Sequence, residues 1–143
     1  MAEPKIRGRK RDEVFARAGY RCEYCLTPID FAIQPFVAEH IIPFVKGGKS
    51  TLDNLACACG GCNSHKYDKT EATDPAENTS HPLYNPRTDT WNVHFTWNAD
   101  FTQIIGLTAI GRATVAALHL NRTGLVNIRR LMVLGGEHPP GVR

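Results

Sequence analysis

The 143-residue sequence contains no run of about 18 apolar residues, so no membrane-spanning helix is expected. No apolar stretch follows the basic start at the distance a secretory leader needs. A cytoplasmic protein with reduced thiols is therefore expected. There is no internal repeat, which sets aside repeat architectures. Charge is nearly balanced at +3, with 42% hydrophobic and 22% charged residues, the profile of an ordinary globular chain. That length suits one domain with a real core and room for an appended subdomain.

What is present is unevenly placed. Seven of the 17 lysines and arginines (Lys5, Arg7, Arg9, Lys10, Arg11, Arg17 and Arg21) lie within the first 21 positions, offset only by Glu3, Asp12 and Glu13. A basic arm of this kind suits a polyanion, nucleic acid being the commonest, and is equally the composition of a solvated, frayed terminus.

Four of the five cysteines form two turns, CEYC at 22–25 and CGGC at 59–62. In a reducing compartment a disulfide is disfavoured, and a redox-active CxxC would stand alone beside a βαβ pattern. Two matched pairs instead present four thiolates, Cys22, Cys25, Cys59 and Cys62, to one tetrahedral Zn²⁺. Such a site is filled by protein, so it is structural, and it clips the base of the loop 26–58. Cys57 is left over and reads as a small buried thiol.

Around these knuckles the pattern reads as α+β. Residues 1–21 form a basic arm with a helix over 9–18 that turns Val14, Phe15 and Ala18 inward and ends at Gly19. In the zinc-stapled core, 22–70, FVAEHII at 36–42 reads as a strand stopped by Pro43, KGGKS at 46–50 as a flexible basic loop, and LDNLACA at 52–58 as a returning strand. CNSHKYDK then opens a helix. The polar, proline-rich stretch 71–90 reads as a linker wrapped over the surface. In 91–133, WNVHFTW alternates with Trp91, Val93, Phe95 and Trp97 on one face, more a core face than a base-stacking platform. FTQIIGL at 101–107 is its hairpin partner, Thr108 caps a helix to about Leu120, and 125–133 forms another. The tail 134–143 reads as disordered.

Glu39 and His40 interrupt an otherwise apolar strand, which is costly unless they are paired or used. Taken alone they read as a buried ion pair or a support for the zinc. The text EHIIPFVKGGKSTLDNLACACGGCNSHK, with the first knuckle before it, resembles the HNH endonuclease family over residues 22–66. An acidic residue precedes a histidine, Ile-x-Pro and a Gly-Gly loop follow, then Asn-Leu, and Cys-x-x-Cys leads into asparagine. LYNPRTDTWNVHFTW and GLTAIGRATVAALHLN are similar to the C-terminal part of one bacterial subfamily.

The resemblance implies a ββα-metal finger that hydrolyses DNA phosphodiesters with one divalent cation. His40 would be the general base, since an imidazole is ordinarily neutral near pH 7 and can take a proton from water. Glu39 and Asn63 would hold the cation. Glu39 points to the opposite face of an ideal strand from His40, so reaching the metal requires a twist or bulge. Asn54 would brace the loop that orients His40. Oxygen ligands favour Mg²⁺, with Mn²⁺ or Ni²⁺ as alternatives, and glutamate in place of the more frequent aspartate or histidine leaves that preference open. Lys46, Lys49, Lys66, Arg7, Arg9, Lys10 and Arg11 would contact phosphates. His65 lies about 200° round the helix from Asn63 and reads as a surface or phosphate-contacting group. His94 sits on the polar face of its strand.

The expected partner is DNA, with no membrane and no small-molecule substrate. Two other classes remain: a zinc-stabilised DNA-binding module without catalysis, and a zinc-stapled protein-interaction domain.

Overall fold

A computed structural model describes residues 3–140, and its centre is the segment between the two knuckles. There β1 (Val37–His40) pairs antiparallel with β2 (Leu55–Ala58), placing Glu39 opposite Ala56 and His40 opposite Leu55. β2 is buried along its whole length, because its small residues Ala56, Cys57 and Ala58 let other elements close over both faces. The helix α1 (Gly8–Arg17) lies near one of them and buries Val14 and Phe15, as its apolar spacing requires. Arg17 fastens α1 to the strand by donating to the Leu52 and Leu55 carbonyls.

β2 runs directly into the short helix α2 (Gly60–Lys66), which begins inside the second knuckle. Cys59 caps it, its sulfur accepting from the Cys62 N–H at 3.4 Å. α2 stops at Tyr67, whose φ of +50° leaves the helical region. The order strand, loop, strand, helix matches the reading of the sequence.

Residues 71–90 are more than a linker. They contain a hairpin, β3 (Glu71–Asp74) with β4 (Thr79–Pro82), closed by a turn in which Asp74 Oδ1 accepts from Ala76 N–H and Asn78 takes φ +59°. The hairpin docks on the later helix α4 (Ala109–Leu118) through a bidentate Arg112–Asp74 pair at 2.8 and 2.9 Å.

WNVHFTW also differs from expectation. Its first half is a helical turn, α3 (Trp91–His94), and only β5 (Phe95–Trp97) is extended, pairing with β6 (Ile104–Gly106). The single alternating face is therefore broken: Val93 is 58% exposed, while His94 is buried with Nδ1 2.6 Å from Thr108 Oγ1. Thr108 caps α4 as expected, accepting from the Gly111 N–H at 3.0 Å. α5 (Thr123–Leu134) follows and buries Arg129 under Trp97, where the guanidinium donates to the Thr102 and Leu120 carbonyls.

The tail is ordered against the fold at least to Pro140. His138 is buried, its Nε2 lies 2.8 Å from the Phe101 carbonyl, and its ring meets Trp97 edge-on. Positions 141–143 lie outside the described residues. Among the described residues no helix is long and apolar enough to cross a membrane.

Candidate active site and zinc centre

The two knuckles converge. The sulfurs of Cys22, Cys25, Cys59 and Cys62 all lie within 4.8 Å of one another and all four residues are buried. Cys25 and Cys59 sulfurs are 3.7 Å apart. Zn–S bonds of about 2.3 Å at tetrahedral angles require S···S edges of roughly 3.8 Å, so the donor set fits one Zn²⁺. Backbone N–H groups of Cys25 and Cys62 donate to the Cys22 and Cys59 sulfurs, further stabilising thiolate.

A cation completes the surroundings, and nothing in its local sequence announces it. The Arg122 guanidinium sits 3.5 Å from Cys59 Sγ and 3.7 Å from Cys62 Sγ. It can come this close because residue 61 is glycine: a Cβ there would lie 2.4 Å from Arg122 Nη2. Cys57 stays outside the cluster, and burial pushes its thiol up to about 12.

Beside the zinc knuckle, β1 and α2 form the walls of a cleft of about 530 Å³. Glu39, His40 and Asn63 all line it, together with Lys5, Arg7 and Arg11 from the N-terminal arm. The sequence-predicted base and both predicted metal ligands thus share one cavity.

Their conditions differ sharply. Among the described residues no hydrogen bond is made by the Asn63 amide, so its oxygen is free to ligate. Glu39 is 5% exposed with both oxygens engaged. Oε1 accepts from the Tyr24 hydroxyl and Oε2 from Lys66 Nζ at 3.1 Å. Burial pushes the Glu39 carboxyl up, with Lys66 and Tyr24 opposing that shift. A buried ion pair is thus present, but its cation is Lys66 and not His40.

Lys66 is a correction. Expected on the surface against phosphate, it is 2% exposed and bridges Glu39, the His40 carbonyl at 3.2 Å and the Ile41 carbonyl at 2.9 Å. Its position on α2 faces β1, and a buried carboxylate captures it. Lys46, Lys49, Arg7, Arg9, Lys10 and Arg11 are exposed. Lys10 also reaches the Ser50 carbonyl at 2.8 Å, tying α1 to the loop before β2.

His40 is held on both ring nitrogens. Nε2 lies 2.8 Å from Ser50 Oγ, and Nδ1 lies 2.8 Å from a carboxylate oxygen of Glu3. Asn54 does not enter the cleft. Its amide accepts from Ile42 N–H at 2.9 Å and donates to the Ile42 and Lys49 carbonyls at 3.0 and 2.9 Å. Those bonds cross-link the ends of the loop that carries Ser50. Gly48 is needed for the same closure, since a Cβ would fall 1.7 Å from the Ile42 oxygen. His65 is half-buried and stacks on His119 at 4.5 Å, away from the lining of the cleft.

Tyr24, Ser50, Glu3 and Arg122 were missed by sequence reasoning. Each acts on a partner at least ten residues away, and none belongs to a spacing pattern.

Two strands and a helix thus set four clustered cysteine thiols beside a cleft lined by His40 and Asn63. The HNH endonuclease family model matches residues 22–69, which is 48 of the 143 positions, and over that segment the chain is similar to the family. No curated protein and no solved structure shows significant similarity to the chain.

Proposed function

We propose that the protein is a metal-dependent endonuclease that hydrolyses phosphodiester bonds in DNA. The observation that carries this reading is the convergence of His40 and an uncommitted Asn63 amide on one cleft, within a segment matching an endonuclease family and beneath a basic arm.

In this reading His40 takes a proton from water as the water oxygen attacks phosphorus and the P–O ester bond breaks. Ser50 and the Asn54-braced loop hold the imidazole so that little reorganisation is left for the transition state. Asn63 and Glu39 would hold a divalent cation of the Mg²⁺ type, which when bound neutralises charge developing on the phosphoryl oxygens. Glu39 contributes through lone pairs not used by Tyr24 and Lys66, and the ion pair fixes its direction. The exposed Arg7, Arg9, Lys10, Arg11, Lys46 and Lys49 supply sequence-independent phosphate contacts, so DNA affinity falls steeply with salt. The four thiols suit a cytoplasmic, reducing compartment.

A second reading, a zinc-stabilised DNA-binding module without catalysis, is favoured by one observation: both Glu39 oxygens are already occupied. Incubation with supercoiled plasmid separates the two. The nuclease reading expects nicking in Mg²⁺, Mn²⁺ or Ni²⁺ that EDTA abolishes. DNA binding with no nicking under any of the three cations identifies the binding module.

A further inference from the structure

Residues 3–7 run as irregular chain along the mouth of the cleft, anchored by Ile6, which packs against the core. At their head, Glu3 places a carboxylate oxygen 2.8 Å from His40 Nδ1. The His40 side chain is 2% exposed and that of Glu3 is 49% exposed, so the glutamate reaches inward from the solvent side.

An ionised carboxylate only accepts hydrogen bonds, so the contact requires a proton on Nδ1. The cleft-facing nitrogen is then a donor with no lone pair to offer a water molecule. Ser50, on Nε2, is compatible with either arrangement: its hydroxyl donates to a bare nitrogen or accepts from an N–H, simply by rotating. Once Glu3 leaves, Nε2–H can donate to Ser50 Oγ and Nδ1 becomes free to accept. Glu3 thus places a negative charge against His40 in a cleft also lined by the cations Lys5, Arg7 and Arg11, as a phosphate oxygen would.

We propose that Glu3 is a tethered occupant of the substrate's anion position, holding His40 in a form that cannot act as a base until nucleic acid displaces the arm. The proposal rests on the nuclease reading above and adds a regulatory contact to it. The pair is built to yield. Its carboxylate is half in solvent, and exposed contacts of this kind change equilibria only about two- to fivefold.

The test compares the wild-type chain with Glu3→Ala, Glu3→Gln and, as a control for loss of one negative charge nearby, Glu13→Gln. Imidazole ¹⁵N NMR of the DNA-free proteins reads the His40 tautomer, and initial plasmid nicking rates read the gate. Glu3→Ala should move the His40 proton from Nδ1 to Nε2 and nick about two to five times faster than wild type, while Glu3→Gln, whose amide can accept or donate, should be displaced more readily and nick no slower than wild type. Glu13→Gln should leave the tautomer in place. An unchanged tautomer in Glu3→Ala overturns the proposal. So does slower nicking, which would make Glu3 a positioning group or a metal ligand. If no protein nicks DNA, the nuclease reading fails, while the tautomer shift still decides whether Glu3 holds the imidazole.

Discussion

Replacing Lys66 with methionine isolates the buried pair beneath the cleft. The change keeps much of the side-chain volume but removes the ammonium that serves Glu39 Oε2, the His40 carbonyl and the Ile41 carbonyl. Glu39 is then a buried carboxylate with only the Tyr24 hydroxyl as partner. Breaking a buried pair from one side typically costs about 3–5 kcal/mol. An upper bound on the electrostatic part comes from protonating Glu39 instead. From an ordinary glutamate value of about 4.3 to pH 7, that costs roughly 3.7 kcal/mol. The two stranded carbonyls add to it, so about 3–5 kcal/mol is expected at pH 7.

The sign with pH follows. Without Lys66 the Glu39 carboxyl, already pushed up by burial, titrates higher still in the folded state than in the unfolded one. The unfolded state therefore ionises first, and the penalty grows as pH rises and fades as pH falls through the raised folded value. Urea unfolding of the zinc-loaded protein measures this. At pH 7 the midpoint should fall by about 2 M, taking a slope near 2 kcal/mol per M, and by distinctly less at pH 5. Lys66→Met combined with Glu39→Gln should recover a large part of the loss. A pH 7 midpoint equal to wild type, or no recovery in the double variant, would refute the reasoning.

Other perturbations reach the remaining parts of the structure. Gly48→Ala must push the Ile42 carbonyl aside and should destabilise by roughly 1–3 kcal/mol, read by urea unfolding, with nicking reduced beyond what the loss of folded protein explains. Arg122→Met removes the cation beside the Cys59 and Cys62 sulfurs, and competition with a chromogenic chelator should show zinc held about 10-fold or more weakly. The Asp74 carboxyl is held down to about 2, chiefly by its hydrogen bonds from Arg112. Its folded value lies below the unfolded one, so the stability it contributes is present above about pH 4 and lost as pH falls towards 2. Asp74→Asn should flatten that part of the acid-unfolding curve.

The metal knuckles and the finger between them were legible because their signals are local. Cys-x-x-Cys, Pro43 ending a strand and the Gly47-Gly48 loop each act within a few residues. What the sequence hid were choices of partner. That Lys66 turns to Glu39, and not to solvent, depends on α2 facing β1 across 27 positions. Nothing near Tyr24, Ser50 or Glu3 signals that they meet Glu39 and His40.

The hairpin at 71–82 was hidden for a different reason. Its strands are mostly exposed and polar, and one buried aspartate with an arginine from α4, not an apolar face, fixes its place. Turn chemistry was nonetheless present in Asp74-Pro75 and Asn78. In WNVHFTW the period-2 pattern was real but too short to decide. Only three residues are extended, and burial of His94 against Thr108 turns the preceding residues into a helix.

The central claim is that His40 removes a proton from water in a cleavage reaction. Its most direct measurement is the single-turnover nicking rate of His40→Ala at saturating DNA, beside wild type with matched zinc content and circular dichroism. The account predicts a fall of about 100-fold or more with DNA affinity little changed. Equal nicking by the two proteins would contradict it.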